Sequence, residues 1–173
     1  MNEIIEAMLN RRSCRSYKPD QVEEEKLQAI LKAGTFAASG HGKQSAKIVV
    51  VQDKETIAQL SRMNAAILGS SGDPFYGAPT VCVVLADPEV MYTWIEDGSL
   101  VMGNLMLAAS ALGVDSCWIH RAREEFDSPE GKALLRKWGI PEHFRGVGHC
   151  ILGYGDGPLA APKARKEDFI VRV

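Results

Sequence analysis

Thr80–Ala86 reads TVCVVLA: seven uncharged residues, mostly apolar and rich in side chains branched at Cβ. A run this short and this apolar predicts a strand at the centre of a sheet, buried on both faces. Working outward, Lys47–Gln52 (KIVVVQ) has the same character and predicts a second buried strand. Asp115–His120 and Gly146–Gly153 (GVGHCILG) predict two more. The segments around them carry helical spacing instead. Ile4, Ile5, Met8 and Leu9 mark an amphipathic helix over 2–11, which Tyr17-Lys18-Pro19-Asp20 brings to a halt. Val22, Leu27, Ile30 and Leu31 mark one over about 23–36, with Glu23, Glu24 and Glu25 at its positive N-terminal end. Ile57, Leu60 and Ile67 mark a helix over 54–68, and a further one covers 129–138. Residues 93–112 form the longest helical pattern, apolar on nearly every side toward its end, so it is buried in a core or against a partner chain; Gly113 is its natural stop. Ala38–Gln44 and Gly69–Pro79 are loops. Helices and strands mix without strict βαβ alternation, which predicts an α+β sandwich with helices covering a central sheet.

The 173 residues (18.9 kDa) fit a single domain over 1–173, with 158–173 as a basic extension ending in a strand-like FIVRV. Apolar residues at 46% and charged residues at 24% exclude disorder. Lys and Arg number 20 against 22 Asp and Glu, a net charge of -2, which argues against a broad nucleic-acid-binding face. The scattered Cys14, Cys82, Cys117 and Cys150 include no CxxC pair; the last three sit in apolar runs and read as reduced core residues. No Cys/His spacing suits a metal. No uncharged leader or membrane-length apolar stretch is present, so a soluble cytoplasmic protein is expected.

The cations are clustered. Arg11, Arg12 and Arg15 surround Ser13, while Lys163, Arg165 and Lys166 sit in the tail. Guanidinium forks suit phosphate oxygens, so two such clusters can converge on one phosphate dianion; the alternative is two patches of solvated charge. Neither GxGxxG nor GxxxxGK[ST] occurs, and Ser39 lacks a GxSxG context.

The run Arg11-Arg12-Ser13-Cys14-Arg15-Ser16-Tyr17 resembles the opening motif of the FMN-dependent nitroreductase family. Further resemblances follow in the family's order over essentially the whole chain: Ala38-Ser39-Gly40 through Gln44-Ser45, Asp73–Thr80, Asp97-Gly98-Ser99 through Asn104-Leu105, Ser116–Ile119, Gly148–Tyr154 and Pro162–Lys166. The resemblance implies a three-layer sandwich with a mostly antiparallel sheet, a homodimer with its C-terminal strand exchanged, and FMN at the dimer interface. It implies phosphate contacts from Arg11, Lys163 and Arg165, and contacts along the phosphate-ribityl chain and ring edge from Arg12 and Ser13. Arg15 falls beside the pyrimidine edge of the flavin. Ser39, Gly40 and Gln44 fall in the loop the second subunit contributes, and Trp118, Ile119 and His120 in a segment passing over the ring near N5.

The chain departs from the family where Gly42 stands for an Asn and Ser45-Ala46 replace Pro-Trp. An Asn and a Lys after the third helix also lack a match: Ser71 and Pro74 align there, with Asn64 a candidate substitute. A fixed guanidinium such as Arg15 stabilises the anionic reduced flavin, and the cofactor carries the hard chemistry, so no acid or base residue is required. The implied activity is hydride transfer from NADH or NADPH through FMN to a nitroaromatic, quinone or similar small-molecule acceptor by a ping-pong mechanism. Lys43, Arg121 and Arg123 are candidates for choosing between the two nucleotides. The rivals are a flavin-binding protein without efficient turnover, a relative with other flavin chemistry (reductive dehalogenation, flavin fragmentation), and a phospho-ligand or nucleic-acid module built on the basic clusters. His149 reads as a hydrogen-bonded core residue, Cys14 as a buried filler and Trp118 as core packing, while His120 is open.

Overall fold

The computed structural model describes residues 2–173; Met1, the first residue of the expected domain, lies outside them. Four strands form one sheet in the order β1 (Ala46–Val51), β2 (Thr80–Ala86), β4 (Arg145–Gly153), β3 (Asp115–Ile119), with every neighbouring pair antiparallel. β2 and β4 thus take the centre, while β1, expected to be a buried strand, lies at the edge of the sheet with only Val51 buried, because β2 pairs with one side of it alone. In β2, Val81, Val83 and Leu85 point to one face and Cys82, Val84 and Ala86 to the other, and all six are fully buried.

Each face carries its own helical layer. On one side α3 (Lys54–Leu68), α5 (Ala122–Asp127) and α6 (Pro129–Lys137) supply Leu60, Met63, Phe126, Leu134 and Leu135 against Val81, Val83 and Ile151. On the other, α2 (Glu24–Thr35) and α4 (Trp94–Ala111) supply Leu27, Ile30, Val101, Met102 and Leu105 against Cys82, Val84 and Cys150. Burying each such side chain contributes roughly 1.5–3 kcal/mol. The result is the three-layer α+β sandwich expected.

Local chemistry sets the helix ends. Asp53 accepts from Thr56 N at 2.8 Å at the start of α3, and Ser128 from Gly131 N at 3.1 Å at the start of α6. Gly113, at φ 69°, follows the end of α4 as expected. The six-residue α5 is too short to announce itself by periodicity. Two glycines let it approach its neighbours: a Cβ at Gly146 would fall 2.1 Å from Ala122 O, and one at Gly131 2.0 Å from Glu125 O.

Two regions look outward. The short α1 (Glu3–Asn10) packs along α4 and buries none of its residues, leaving Ile4, Ile5, Met8 and Leu9 exposed. Residues 158–173 are exposed throughout. Phe169-Ile170-Val171-Arg172-Val173 is not the strand its composition suggests: Glu167–Phe169 make a single 3₁₀ turn and the rest is irregular. No strand among the described residues pairs with it, its backbone bond from Phe169 N to Lys166 O at 3.3 Å being local, and a strand exists only with a partner ladder.

Candidate active site

All four cysteines are buried and free, as read from the sequence. Cys117, on β3, marks the centre of the N-terminal basic cluster. Burial raises its thiol pKa, against the pull of a hydrogen bond from Ser13 and the charges of Arg15 and Arg11. Three of the sequence-selected residues therefore gather at one end of β3. The backbone puts them there: Cys14 N donates to Ser116 O at 3.0 Å, and Ser13 bridges Ser116 in parallel.

Beside this cluster opens a cleft of ≈ 360 Å³. Arg15, Trp118, Ile119 and His120 line it, together with Pro74, Tyr76 and Arg121. Arg15 is exposed and makes no hydrogen bond or ion pair among the described residues, so its charge is available to a ligand. Trp118 contributes to the cleft wall while its ring packs on Gly148, where a Cβ would lie 2.9 Å from Cε2; core packing is its main role. Arg15 also lines an adjoining pocket with Ser13, Ser16 and the start of the tail, Pro158–Ala160.

Arg11 and Arg12 behave differently from each other. Arg12 turns back on α1, its Nη1 donating to Leu9 O at 2.7 Å and Arg11 O at 2.8 Å. Among the described residues, Arg11 Nη1 and Ser116 Oγ are buried and have no hydrogen-bond partner. An orphaned guanidinium nitrogen inside a protein is costly unless an anion meets it. That makes the N-terminal cluster chemically suited to a phosphate. The structure does not bring Lys163 or Arg165 into either pocket: both lie on the exposed tail, where Arg165 lines a groove with Lys166, Glu167, Phe169 and Ile170.

Ser39, Gly40 and Gln44 lie apart from the cleft. Ser39 and Gln44 line a separate cavity of ≈ 320 Å³ with Leu31, Ala37, Ile48 and Val101. The loop there is held under strain: His41 and Gln44 have φ of 49° and 53°, in the left-handed region. Asp97, buried on α4, holds it down by accepting from Gly40 N at 2.9 Å, Ser45 Oγ at 2.7 Å and Thr93 Oγ1 at 3.1 Å. A buried Asp inside an apolar helical pattern was the available signal for that role.

A second buried network stiffens the far wall of the cleft. Asn64 is fully buried, so it does not present itself to a ring in the cleft as a substitute contact. Its Nδ2 instead donates to His120 O at 2.7 Å and to Glu125 Oε1, and its Oδ1 accepts from Arg121 Nε at 2.9 Å. Glu125 Oε2 in turn lies 2.9 Å from His149 Nε2, and both side chains are fully buried. His149 is the hydrogen-bonded core residue expected. Glu125 escaped sequence reading because α5 did, and its partners are 61 and 24 positions away. Of the cations considered for nucleotide choice, Arg121 lines the cleft, whereas Arg123 stacks over Trp94 at 5.2 Å.

Comparison with known proteins identifies the family and the fold. The nitroreductase family model matches residues 8–74 and 66–154. A crystal structure of a nitroreductase with bound FMN from Bacteroides fragilis superposes with a TM-score of 0.91, at 31% identity and 100% coverage of both chains. Another, with bound FMN, from Desulfitobacterium hafniense gives 0.90 at 27% identity, covering 100% of this chain and 99% of that one. An FMN reductase [NAD(P)H] of Bacillus subtilis is 33% identical over 190 aligned positions, 96% of this chain and 72% of the relative. The chain belongs to the nitroreductase family.

Proposed function

We propose that this protein is an FMN-dependent NAD(P)H oxidoreductase, and that a small molecule such as a nitroaromatic or quinone is its acceptor. The observation that carries this reading is the cleft that Arg15 and residues 118–120 line, with the unpartnered Nη1 of Arg11 buried four residues before Arg15 on the same segment. FMN supplies hydride acceptance and donation at its ring, in two half-reactions that share one open face and so give ping-pong kinetics. The chain's residues supply position and charge. Arg11 and Ser13 meet the phosphate and ribityl end, with Arg12 at the neighbouring turn and Lys163 and Arg165 arriving from the tail. Arg15, charged at any working pH, favours negative charge on the pyrimidine edge. Trp118, Ile119 and His120 present the end of β3 to the ring, largely through backbone.

A homodimer completes the site in this reading. Ser39, Gly40 and Gln44 serve the partner's cleft, and the tail crosses to the partner, where its last residues gain a strand ladder. The exposed apolar side chains support it: Phe36 is 78% exposed, Tyr92 81%, and Ile170 78%. Among the described residues, no helix is long and apolar enough to cross a membrane. No group of three or more His, Cys, Asp or Glu among them is placed to hold a metal.

The test is the visible spectrum of the purified protein before and after anaerobic NADH or NADPH, with sedimentation alongside. A yellow dimer that bleaches is the expected result. A yellow protein that does not bleach favours a binding protein without turnover. A colourless protein that takes up no added FMN removes the reading.

A further inference from the structure

Arg121 occupies a position that an arginine does not take cheaply. Its φ of 77° lies in the left-handed region, where glycine is the natural occupant. Four polar groups nonetheless combine to fix it there. Its Nε donates to Asn64 Oδ1 at 2.9 Å, Asn64 is tied to His120 O and Glu125, and Glu125 is tied to His149. Asn64, Glu125 and His149 are all fully buried, so this chain of bonds is anchored in the core rather than on a mobile surface. The anchor engages only Nε. The two terminal nitrogens of the guanidinium make no hydrogen bond or ion pair among the described residues, and the residue lines the cleft.

The other charged and titratable groups lining that cleft are Arg15, Asp73, Tyr76, Cys117 and His120, and of these only Asp73 is an acid that could pair with a guanidinium at neutral pH. Asp73 is turned toward its own loop, where it accepts from Ser61 Oγ at 2.6 Å, Phe75 N at 2.9 Å and Gly77 N at 2.7 Å. It therefore does not neutralise Arg121 by a direct pair. The functional reading above places Arg15 against the flavin. That leaves one guanidinium at the cleft, held by its Nε, with its two terminal nitrogens unpaired among the described residues.

Resting on that reading, we propose that Arg121 is a specificity-determining anion clamp. It receives a carboxylate or phosphate oxygen of the molecule that enters the cleft after FMN is in place. A fixed guanidinium fork recognises such groups with two parallel N–H···O bonds and loses little side-chain entropy in doing so. The anionic group has two sources, an acidic substituent on the acceptor or a phosphate of the nicotinamide donor.

The experiment uses FMN-loaded protein and two variants, Arg121→Gln and Arg121→Gly. Glycine suits the left-handed backbone, so the second variant keeps the fold while removing the fork. In the first arm, oxidised protein is titrated with 4-nitrobenzoate and with neutral 4-nitrobenzamide, following the flavin absorbance. In the second arm, kcat/KM is compared for reduced nicotinamide mononucleotide and for the phosphate-free N-benzyl-dihydronicotinamide. The expected result is a loss of roughly tenfold or more for the anionic member of one pair in both variants, with its neutral counterpart within about twofold. A selective loss in the first arm identifies an acidic acceptor; in the second, the donor phosphate. Equal losses within each pair, or none, overturn the clamp while leaving the FMN reading intact. A wild-type protein that takes up no flavin overturns the FMN reading itself, and the clamp with it.

Discussion

The two sides of the candidate site are built by opposite means. The wall formed by His120, Arg121, Asn64, Glu125 and His149 is complete within one chain: three of its five side chains are fully buried, and each of the five residues has a hydrogen-bond partner. The tail from Pro158 to Val173 is the reverse, exposed along its whole length and carrying Phe169, Ile170 and Val171 uncovered. The loop at Ser39–Gln44 lies between these extremes, strained in its backbone but pinned by one buried carboxylate. The difference teaches where each half of the site gets its free energy. The wall is prepaid by folding of the single chain and the loop in part by Asp97, whereas in the proposed dimer the tail gains its share when ligand and partner arrive.

The sharpest way to break the comparison is at Glu125. Glu125→Ala leaves Asn64 Nδ2 and His149 Nε2 buried without their carboxylate, and a loss of about 3–5 kcal/mol in unfolding free energy is expected by urea denaturation. A change below about 1 kcal/mol would mean the wall is not what stabilises this side.

Ending the chain at Gly157 probes the other side. The fold of the core is expected to survive with little change in urea midpoint, because residues 158–173 are all exposed and none belongs to the core clusters. FMN retention is expected to fall on the order of a hundredfold if Lys163 and Arg165 make the two charge-assisted phosphate contacts proposed for them, and the proposed dimer to weaken in sedimentation. Undiminished FMN binding would assign the phosphate to Arg11 and its neighbours alone.

The smallest effect concerns the loop. Asp97→Asn keeps the shape but weakens the bonds to Gly40 N and Ser45 Oγ, at a cost of about 1–2 kcal/mol by thermal unfolding followed in the holoprotein. If the loop serves the partner's cleft, FMN affinity falls in the dimer as well; an unchanged affinity would detach the loop from the site.

Much of this was legible in the chain. TVCVVLA declared the sheet centre because burial on both faces leaves an unbroken apolar run, whereas KIVVVQ, of the same character, forms the half-exposed edge strand β1. The motif around Arg11–Tyr17 and the segment Trp118–His120 pointed to the same cleft, and the structure joins Arg15 to that segment. Glu125 was not legible. A six-residue helix shows no period, and a buried carboxylate looks like any surface Glu until its partners Asn64 and His149 are seen to converge on it. Asn64, a candidate substitute for the unmatched ring contact, is instead a buried strut bonded to His120 O, Glu125 and Arg121, since side-chain direction depends on which face of α3 meets α5. FIVRV read as a strand from its composition, but strand formation depends on a partner's backbone as much as on propensity.

Residue order therefore settled the layers, the buried strands and the cluster of cations, because these follow from local periodicity and side-chain chemistry. Only the tertiary structure decided which cations stand free, which polar groups are buried in contact, and which arginine is held in a left-handed turn at the mouth of the cleft. Those are properties of residues brought together from distant positions, and no local pattern encodes the distance between them.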